Sequence, residues 1–93
     1  MARWTRLALA DLDAAVAYVA QDDRATAEQV ATRIWAAAAR LDQFPDIGRP
    51  GRRQGTRELV LPRLPFVLVY RAVDGAVTIL RLLHTARRWP DNG

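Results

Sequence analysis

Arginine is the residue with the most evident capacity for chemistry in this sequence. All fourteen basic residues are arginine, and each keeps its charge and can make planar, paired contacts with phosphate or carboxylate. Three lie in a glycine- and proline-rich segment, and two stand beside a tryptophan near the C-terminus. These predicted target-binding residues are Arg49, Arg52, Arg53, Arg87, Arg88 and Trp89. Both clusters fit an anionic partner, either nucleic acid or an acidic protein surface.

The residue types that the chain lacks exclude several kinds of site. There is no serine, lysine or cysteine, and His84 is the sole histidine. A Ser-His-Asp hydrolase, a Walker A loop, a Schiff-base enzyme and a zinc-thiolate site therefore each lose an essential group. We predict neither a metal nor any other cofactor. The 93 residues suit a single domain spanning positions 1–93.

Charge is unevenly distributed along the chain. Residues 1–47 carry five arginines and seven acids, a net charge of −2, whereas residues 48–93 carry nine arginines and three acids, a net charge of +6. The second half is therefore the part predicted to meet an anionic partner. Neither a secretory segment nor an apolar run of the roughly 20 residues that a membrane span needs is found. We expect a cytoplasmic protein.

The first half predicts a short strand and two helices. Residues 2–7 are extended in pattern, and Leu9, Leu12, Val16 and Val19 then recur at helical spacing. Asp23 is a predicted N-cap for a second helix, whose apolar stripe ends at Leu41. Pro45 ends that helix because proline lacks the backbone N–H and restricts the preceding residue. The two helices are predicted to form an antiparallel hairpin.

The second half predicts three strands, over residues 57–61, 66–73 and 76–83. Asp74-Gly75 is a strong signal for a two-residue hairpin turn. Residues 45–56 are predicted to lack regular structure because of their glycines and prolines. A regular hairpin register would put Val67, Val69 and Arg71 on one face with Leu80 and Leu82, and Phe66, Leu68 and Tyr70 on the other with Ile79 and Arg81. Both faces would be largely apolar, and a helix hairpin covers only one, so the other is a predicted protein interface.

In this order and spacing, several segments of the chain together resemble the RelE/ParE superfamily of bacterial toxins. They are Leu41-Asp42-Gln43-Phe44-Pro45, Gly48-Arg49-Pro50, Gly55-Thr56-Arg57-Glu58-Leu59, Pro65-Phe66-Val67-Leu68-Val69-Tyr70-Arg71 and Ile79-Leu80-Arg81-Leu82-Leu83-His84. The resemblance implies an α+β fold, β-α-α-β-β-β, with an antiparallel sheet packed on a helical hairpin. It also implies the toxin of a type II toxin–antitoxin module, neutralised by a cognate antitoxin, ParD-like or similar.

Two mechanisms are known on this fold. RelE-like members cleave messenger RNA in the ribosome, whereas ParE-like members inhibit DNA gyrase by binding it. The RelE-like pattern has an arginine three residues before the strand tyrosine, and here Val67 stands at that position before Tyr70. Valine cannot stabilise charge that develops on a phosphoryl group, and the lysines that RelE-type nucleases use are absent. The departures favour the ParE-like branch.

Family resemblance also implies two sets of site residues. Some members use a glutamate, an arginine and a C-terminal histidine for acid–base work, and the corresponding weak candidates here are Arg57, Glu58, Arg81 and His84. The residues predicted to bind the antitoxin are Trp35, Val67, Val69, Leu80 and Leu82.

Our leading prediction is a ParE-like gyrase inhibitor that meets operator DNA only through its antitoxin complex. The alternatives are a RelE-like, ribosome-dependent mRNA endonuclease and a non-toxic member that binds its partner and acts in transcriptional autoregulation.

Overall fold

Two helices pack on a five-stranded sheet in the computed structural model, which describes residues 1–85. The elements are β1 (Arg3–Trp4), α1 (Arg6–Ala20), α2 (Arg24–Gln43), β2 (Arg49–Pro50), β3 (Arg57–Val60), β4 (Phe66–Val73) and β5 (Ala76–His84). Within these residues no helix is long and apolar enough to cross a bilayer. The α+β class and the helical hairpin are confirmed.

The sheet has the strand order β1-β5-β4-β3-β2. Strands β2 to β5 pair antiparallel, as predicted, but β1 runs parallel to β5. A wholly antiparallel sheet was therefore a wrong expectation. A parallel pair needs a long connection, and here two helices and strands β2 to β4 lie between β1 and β5.

Side-chain caps fix where the two helices start. The Thr5 hydroxyl accepts the Ala8 N–H at 3.1 Å, which begins α1 earlier than the predicted extended segment allowed. Asp23 accepts the Thr26 N–H at 3.2 Å, so the predicted N-cap of α2 is confirmed. Hydrogen bonds from the backbone N–H and the side chain of Thr26 lower the pKa of the Asp23 carboxyl. Helix α2 ends at Gln43, just before the Phe44-Pro45 pair that was predicted to stop it.

The core lies between the helices and one face of the sheet. It is formed by apolar residues that are almost fully buried: Ala8, Leu12, Val30, Ile34, Ala38, Leu41, Leu61, Phe66, Leu68, Tyr70, Val77, Ile79 and Leu82. Leu9, which was expected in the α1 stripe, is instead 41% exposed. The smaller Ala8 is instead fully buried in the core.

A bulge in β5 overturns the predicted register beyond Ile79. The Asp74-Gly75 hairpin has the expected positive φ values, 51° and 80°, and Tyr70 pairs with Ile79 as a regular register requires. The next pair is Val69 with Arg81, so Leu80 is the extra residue. Its carbonyl accepts the Thr5 hydroxyl at 2.9 Å, where β1 gives way to α1.

The bulge exchanges the faces of the residues that follow it. Leu82 pairs with Leu68 on the helix-covered face and is 4% exposed, and Arg81 pairs with Val69 on the opposite face. The prediction that Leu82 shares a face with Val67, and Arg81 with Phe66, was wrong. One inserted residue is enough, because side chains alternate along a strand with a period of two.

Tyr70 connects the core to the segment that was predicted to be irregular. Its hydroxyl donates to the Pro45 carbonyl at 2.7 Å and accepts the Gly48 N–H at 2.9 Å. Two residues of the segment, Arg49 and Pro50, form the edge strand β2 against β3. An edge tolerates proline because its missing N–H faces no ladder partner. The prediction of no regular structure here was wrong at these two positions.

Replacing Tyr70 with phenylalanine should lower the free energy of unfolding by about 1–2 kcal/mol, since the buried Gly48 N–H and Pro45 carbonyl lose their shared partner. Urea unfolding of both proteins measures the difference. Tyr18→Phe is the control, because Tyr18 is 70% exposed and should change nothing measurable. Equal stability of the Tyr70→Phe and wild-type proteins would contradict the assigned role of the hydroxyl.

The difference in stability between wild type and Tyr70→Phe should depend on pH in alkaline solution. Burial raises the pKa of the Tyr70 hydroxyl in the fold. Its contribution to stability is therefore complete below the unfolded pKa of about 10 and is lost as the pH rises through the folded value. The stability gap between wild type and Tyr70→Phe should narrow above about pH 10. A gap that stays constant or widens there in urea unfolding would be inconsistent with a buried, protonated hydroxyl.

Candidate functional site

The outer face of the sheet is the face opposite the helices, and two rows of paired residues cross it. One row runs through Arg49, Glu58, Val69 and Arg81, and the other through Val60, Val67 and Leu83. A shallow pocket of about 120 Å³ opens on this face, lined by Arg49, Arg52, Glu58, Val67, Leu83, His84 and Thr85. It is smaller than the roughly 300–1,000 Å³ of typical small-molecule sites. The face therefore suits contact with a macromolecule better than enclosure of a small substrate.

Glu58 is the buried charge of this face. It is 6% exposed, and its carboxylate accepts the Arg49 guanidinium at 3.3 Å and the Arg52 backbone N–H at 3.1 Å. Both oxygens thus have partners in the loop that begins at β2. The Arg49 guanidinium and the Arg52 N–H thus compensate the negative charge of the Glu58 carboxylate, as the burial of a charged group requires.

Arg57 lies on the other side of the sheet from Glu58, because neighbouring strand residues face opposite ways. Its guanidinium donates to the Gly48 carbonyl at 2.8 Å and to the Asp46 carbonyl at 3.4 Å, and it lies 3.6 Å from the Asp46 carboxylate. Arg57 fastens the chain after α2 to β3. The structure does not bring it together with Glu58.

Arg81 is held by Asp11 of α1. The two side chains form a paired contact, Nε to Oδ2 at 2.7 Å and Nη2 to Oδ1 at 3.1 Å, and Asp11 also accepts the Leu82 backbone N–H at 3.0 Å. The hydrogen bonding of the Arg81 guanidinium to the Asp11 carboxylate, which accepts, raises the pKa of Arg81. Asp11 thereby binds the edge of β5 at Leu82, past the residues of β5 that pair with β1. Asp11 is not among the residues predicted from the sequence, because its position on a helix face gives no local signal of a partner 70 residues away.

His84 ends β5 at the rim of the pocket. Its ring meets the Phe66 ring edge to face, with centroids 5.4 Å apart, and it lines the pocket together with Glu58. Of the four weak catalytic candidates, the structure brings these two to one site and keeps Arg57 and Arg81 elsewhere. Among residues 1–85 no cluster of three metal-ligating side chains occurs.

The predicted target-binding arginines divide between the loop and the C-terminal stretch. Arg49, Arg52 and Arg53 lie in or directly after β2 and are exposed. Arg87, Arg88 and Trp89 lie outside the described residues. The described part of the cluster is thus a cationic loop on one edge of the sheet.

The predicted antitoxin-binding residues do not form a single exposed set. Val69 and Leu82 are buried at 2% and 4% exposure, so neither presents surface to a partner in this conformation. Val67 and Leu80 are half-buried, on the outer face and at the bulge. Trp35 is 46% exposed and packs on Trp4, with ring centroids 4.7 Å apart. Trp35 and Trp4 thus form an aromatic pair on the helix side, away from Val67.

Comparison with known proteins identifies the family of this arrangement. Residues 2–89 match the family model described as the ParE toxin of the type II toxin-antitoxin system, parDE. The chain is 43% identical over 88 residues to "Putative toxin Y4kP" of Sinorhizobium fredii, covering 95% of this chain and 91% of that protein. It is 38% identical over 84 residues to toxin RelE2 of Caulobacter vibrioides, covering 90% and 93%.

A solved structure agrees with the sequence relatives. It is described as the chromosomal ParDE TA system from P. aeruginosa, and it superposes with a TM-score of 0.79 at 34% identity, covering 89% of this chain and 92% of that one. Both the fold and the sequence match extend over almost the whole chain. This protein therefore belongs to the ParE toxin family of type II toxin–antitoxin systems.

Proposed function

We propose that this ParE-family protein is a toxin that inhibits DNA gyrase by binding it, without catalysing a reaction. The observation that supports this most is the dispersal of the acid–base candidates. Arg57 binds loop carbonyls on the helix side, Arg81 is paired with Asp11, and Glu58 is neutralised by Arg49 and a backbone N–H. Phosphoryl transfer needs such groups to converge on one phosphate.

The position of Val67 supports the same proposal. It lies on the outer face between Val60 and Leu83, where the nuclease pattern would have an arginine. An apolar row next to a cationic loop is typical of a protein-binding surface, with an apolar centre and a polar rim. The loop arginines Arg49, Arg52 and Arg53 would contact acidic groups of the target.

A cognate antitoxin, ParD-like or similar, is the second partner that we propose, acting in the cytoplasm. Trp35, packed on Trp4 and half-exposed, offers the kind of aromatic anchor that interfaces use. Val67 and Leu80 remain proposed contacts. The complex, and not this chain alone, would bind operator DNA.

The test measures two activities of one preparation. Purified protein should inhibit gyrase supercoiling or trap cleaved DNA, and it should leave messenger RNA on translating ribosomes intact. Adding the antitoxin encoded beside it should restore supercoiling. Codon-specific cleavage of messenger RNA with no effect on gyrase would overturn the proposal, as would the absence of toxicity when the protein is induced alone.

One observation favours a second candidate function, a ribosome-dependent mRNA endonuclease. Glu58 and His84 line the same pocket, and imidazole is the side chain that most often transfers protons in general acid–base catalysis. If this function held, His84→Ala would abolish messenger RNA cleavage. Under the gyrase proposal no such cleavage exists to lose.

A further inference from the structure

Glu58 is a buried carboxylate on the outer face of the sheet, where a charged side chain would ordinarily be exposed to solvent. It is 6% exposed on a face that no helix covers, and its partner Arg49 is 65% exposed. Burying a carboxylate is costly unless it is fully hydrogen-bonded. Its two oxygens meet two different residues of one loop, the side chain of Arg49 and the backbone of Arg52.

The loop around Glu58 is tied at several further points, all close to it. The Gly51 N–H donates to the Thr56 carbonyl at 2.8 Å, and both the hydroxyl and the N–H of Thr56 donate to the Arg53 carbonyl, at 2.6 and 3.1 Å. A Cβ on Gly51 would clash with the Thr56 hydroxyl, so the loop also closes tightly. These bonds close the loop on itself, and the Glu58 carboxylate adds side-chain contacts that hold the loop to β3 beside the β2–β3 pairing.

Arg49 can be held by Glu58 and still reach a partner. A guanidinium has five N–H donors. Arg49 contacts Glu58 through Nη2, and its side chain is still 65% exposed to solvent. Holding a long side chain in place before binding reduces the entropy lost on association. The Glu58 carboxylate thus orients the Arg49 side chain and leaves other N–H donors of the guanidinium available to a partner.

We propose that Glu58 is a positioning residue that fixes the loop of residues 49–56 in the conformation that engages the target. This inference rests on the proposed binding of gyrase through that loop. Glu58 acts through Arg49 and the Arg52 backbone, so it need not touch the target. Its carboxylate is an anchor and not a general base.

The first experiment needs no target. Backbone amide hydrogen exchange is measured in wild type, Glu58→Gln and Glu58→Ala. Glutamine keeps an acceptor for the Arg52 N–H but loses the charge opposite Arg49, so protection of Arg52 and Gly51 should fall in the order wild type, Gln, Ala. We expect exchange about tenfold faster in the alanine variant, with the amides of β4 and β5 unchanged. Unchanged loop exchange in both variants would overturn the anchor.

The second experiment measures inhibition of gyrase supercoiling. Glu58→Gln should need about tenfold more protein for half inhibition, the size expected when one or two long side chains must be immobilised on binding. The matched control is Glu28→Gln, which alters the only other glutamate, an exposed residue of α2, and should leave inhibition unchanged. Arg49→Gln should reduce inhibition too, and its effect should not add to that of Glu58→Gln.

The outcomes separate the two proposals. If wild type does not inhibit gyrase, the proposed function fails, and the exchange order still decides whether Glu58 anchors the loop. If wild type inhibits gyrase and Glu58→Gln loosens the loop without weakening inhibition, the positioning role is overturned. A loss of messenger RNA cleavage in both Glu58→Gln and His84→Ala would instead identify Glu58 as a general base and also overturn it.

Discussion

Asp11→Ala should lower the free energy of unfolding by about 3 kcal/mol, because it leaves a partly buried guanidinium and a strand-edge N–H without their acceptor. Asp11 is 17% and Arg81 29% exposed at their side chains, and the contact joins α1 to β5 through three hydrogen bonds. For a domain of this size the loss corresponds to a fall in Tm of roughly 10–20 °C. Thermal and urea unfolding measure it.

The control for Asp11 lies two residues further along the same helix. Asp13 is exposed, so Asp13→Ala removes the same charge from α1 without touching β5 and should stay within about 0.5 kcal/mol of wild type. Arg81→Gln should destabilise the protein, and the double variant should be less damaged than the sum of the two singles. Equal effects of Asp11→Ala and Asp13→Ala would show that charge on the helix, and not the contact, is what matters.

Gly48→Ala should lower the free energy of unfolding by about 2–3 kcal/mol, because the added methyl group would clash with Tyr70. A Cβ at this position would lie 2.6 Å from the Tyr70 hydroxyl oxygen and 2.7 Å from its Cε1. Tyr70 is fully buried, so its ring cannot swing into solvent to make room. The clash would also break the hydroxyl's bonds to Pro45 and Gly48.

Gly55 provides the comparison for Gly48. It has a φ of +82°, with only the Arg71 Nε within 4 Å of an added Cβ, at 3.9 Å. Gly55→Ala therefore costs backbone strain without a clash, about 1 kcal/mol. Urea unfolding should rank Gly48→Ala as the more damaging change, and Gly48→Ala with Tyr70→Phe should be less than additive. A larger loss at Gly55 would contradict the tight approach of Gly48 to Tyr70.

Most elements could be predicted because their signals are local. The Asp23 cap, the Phe44-Pro45 stop and the Asp74-Gly75 turn each act within a few residues, and each lies where predicted. Strand β4 has the predicted bounds, residues 66–73. The family could be identified for the same reason, since the resemblance rests on short segments in a fixed order.

The candidate site could be predicted only in part. Residue types placed Glu58 and His84 among four weak catalytic candidates, and the structure puts these two in the lining of one pocket with Arg49 and Arg52. They could not separate Arg57 from Glu58 in role, although their adjacency in a strand places them on opposite faces. They also gave no sign that Val69 and Leu82 are buried.

The sequence by itself determined which reactive residue types are present, the order of the elements and the positive charge of the second half. The tertiary structure decided the register beyond the β5 bulge, the parallel pairing of β1, the contact of Asp11 with Arg81 and the enclosure of Glu58. The first three depend on where distant segments meet, whereas Glu58 is held by residues six and nine positions before it, which the β2–β3 pairing brings alongside. The bulge at Leu80 forms where Thr5 approaches β5, and no window of sequence around residue 80 contains that partner.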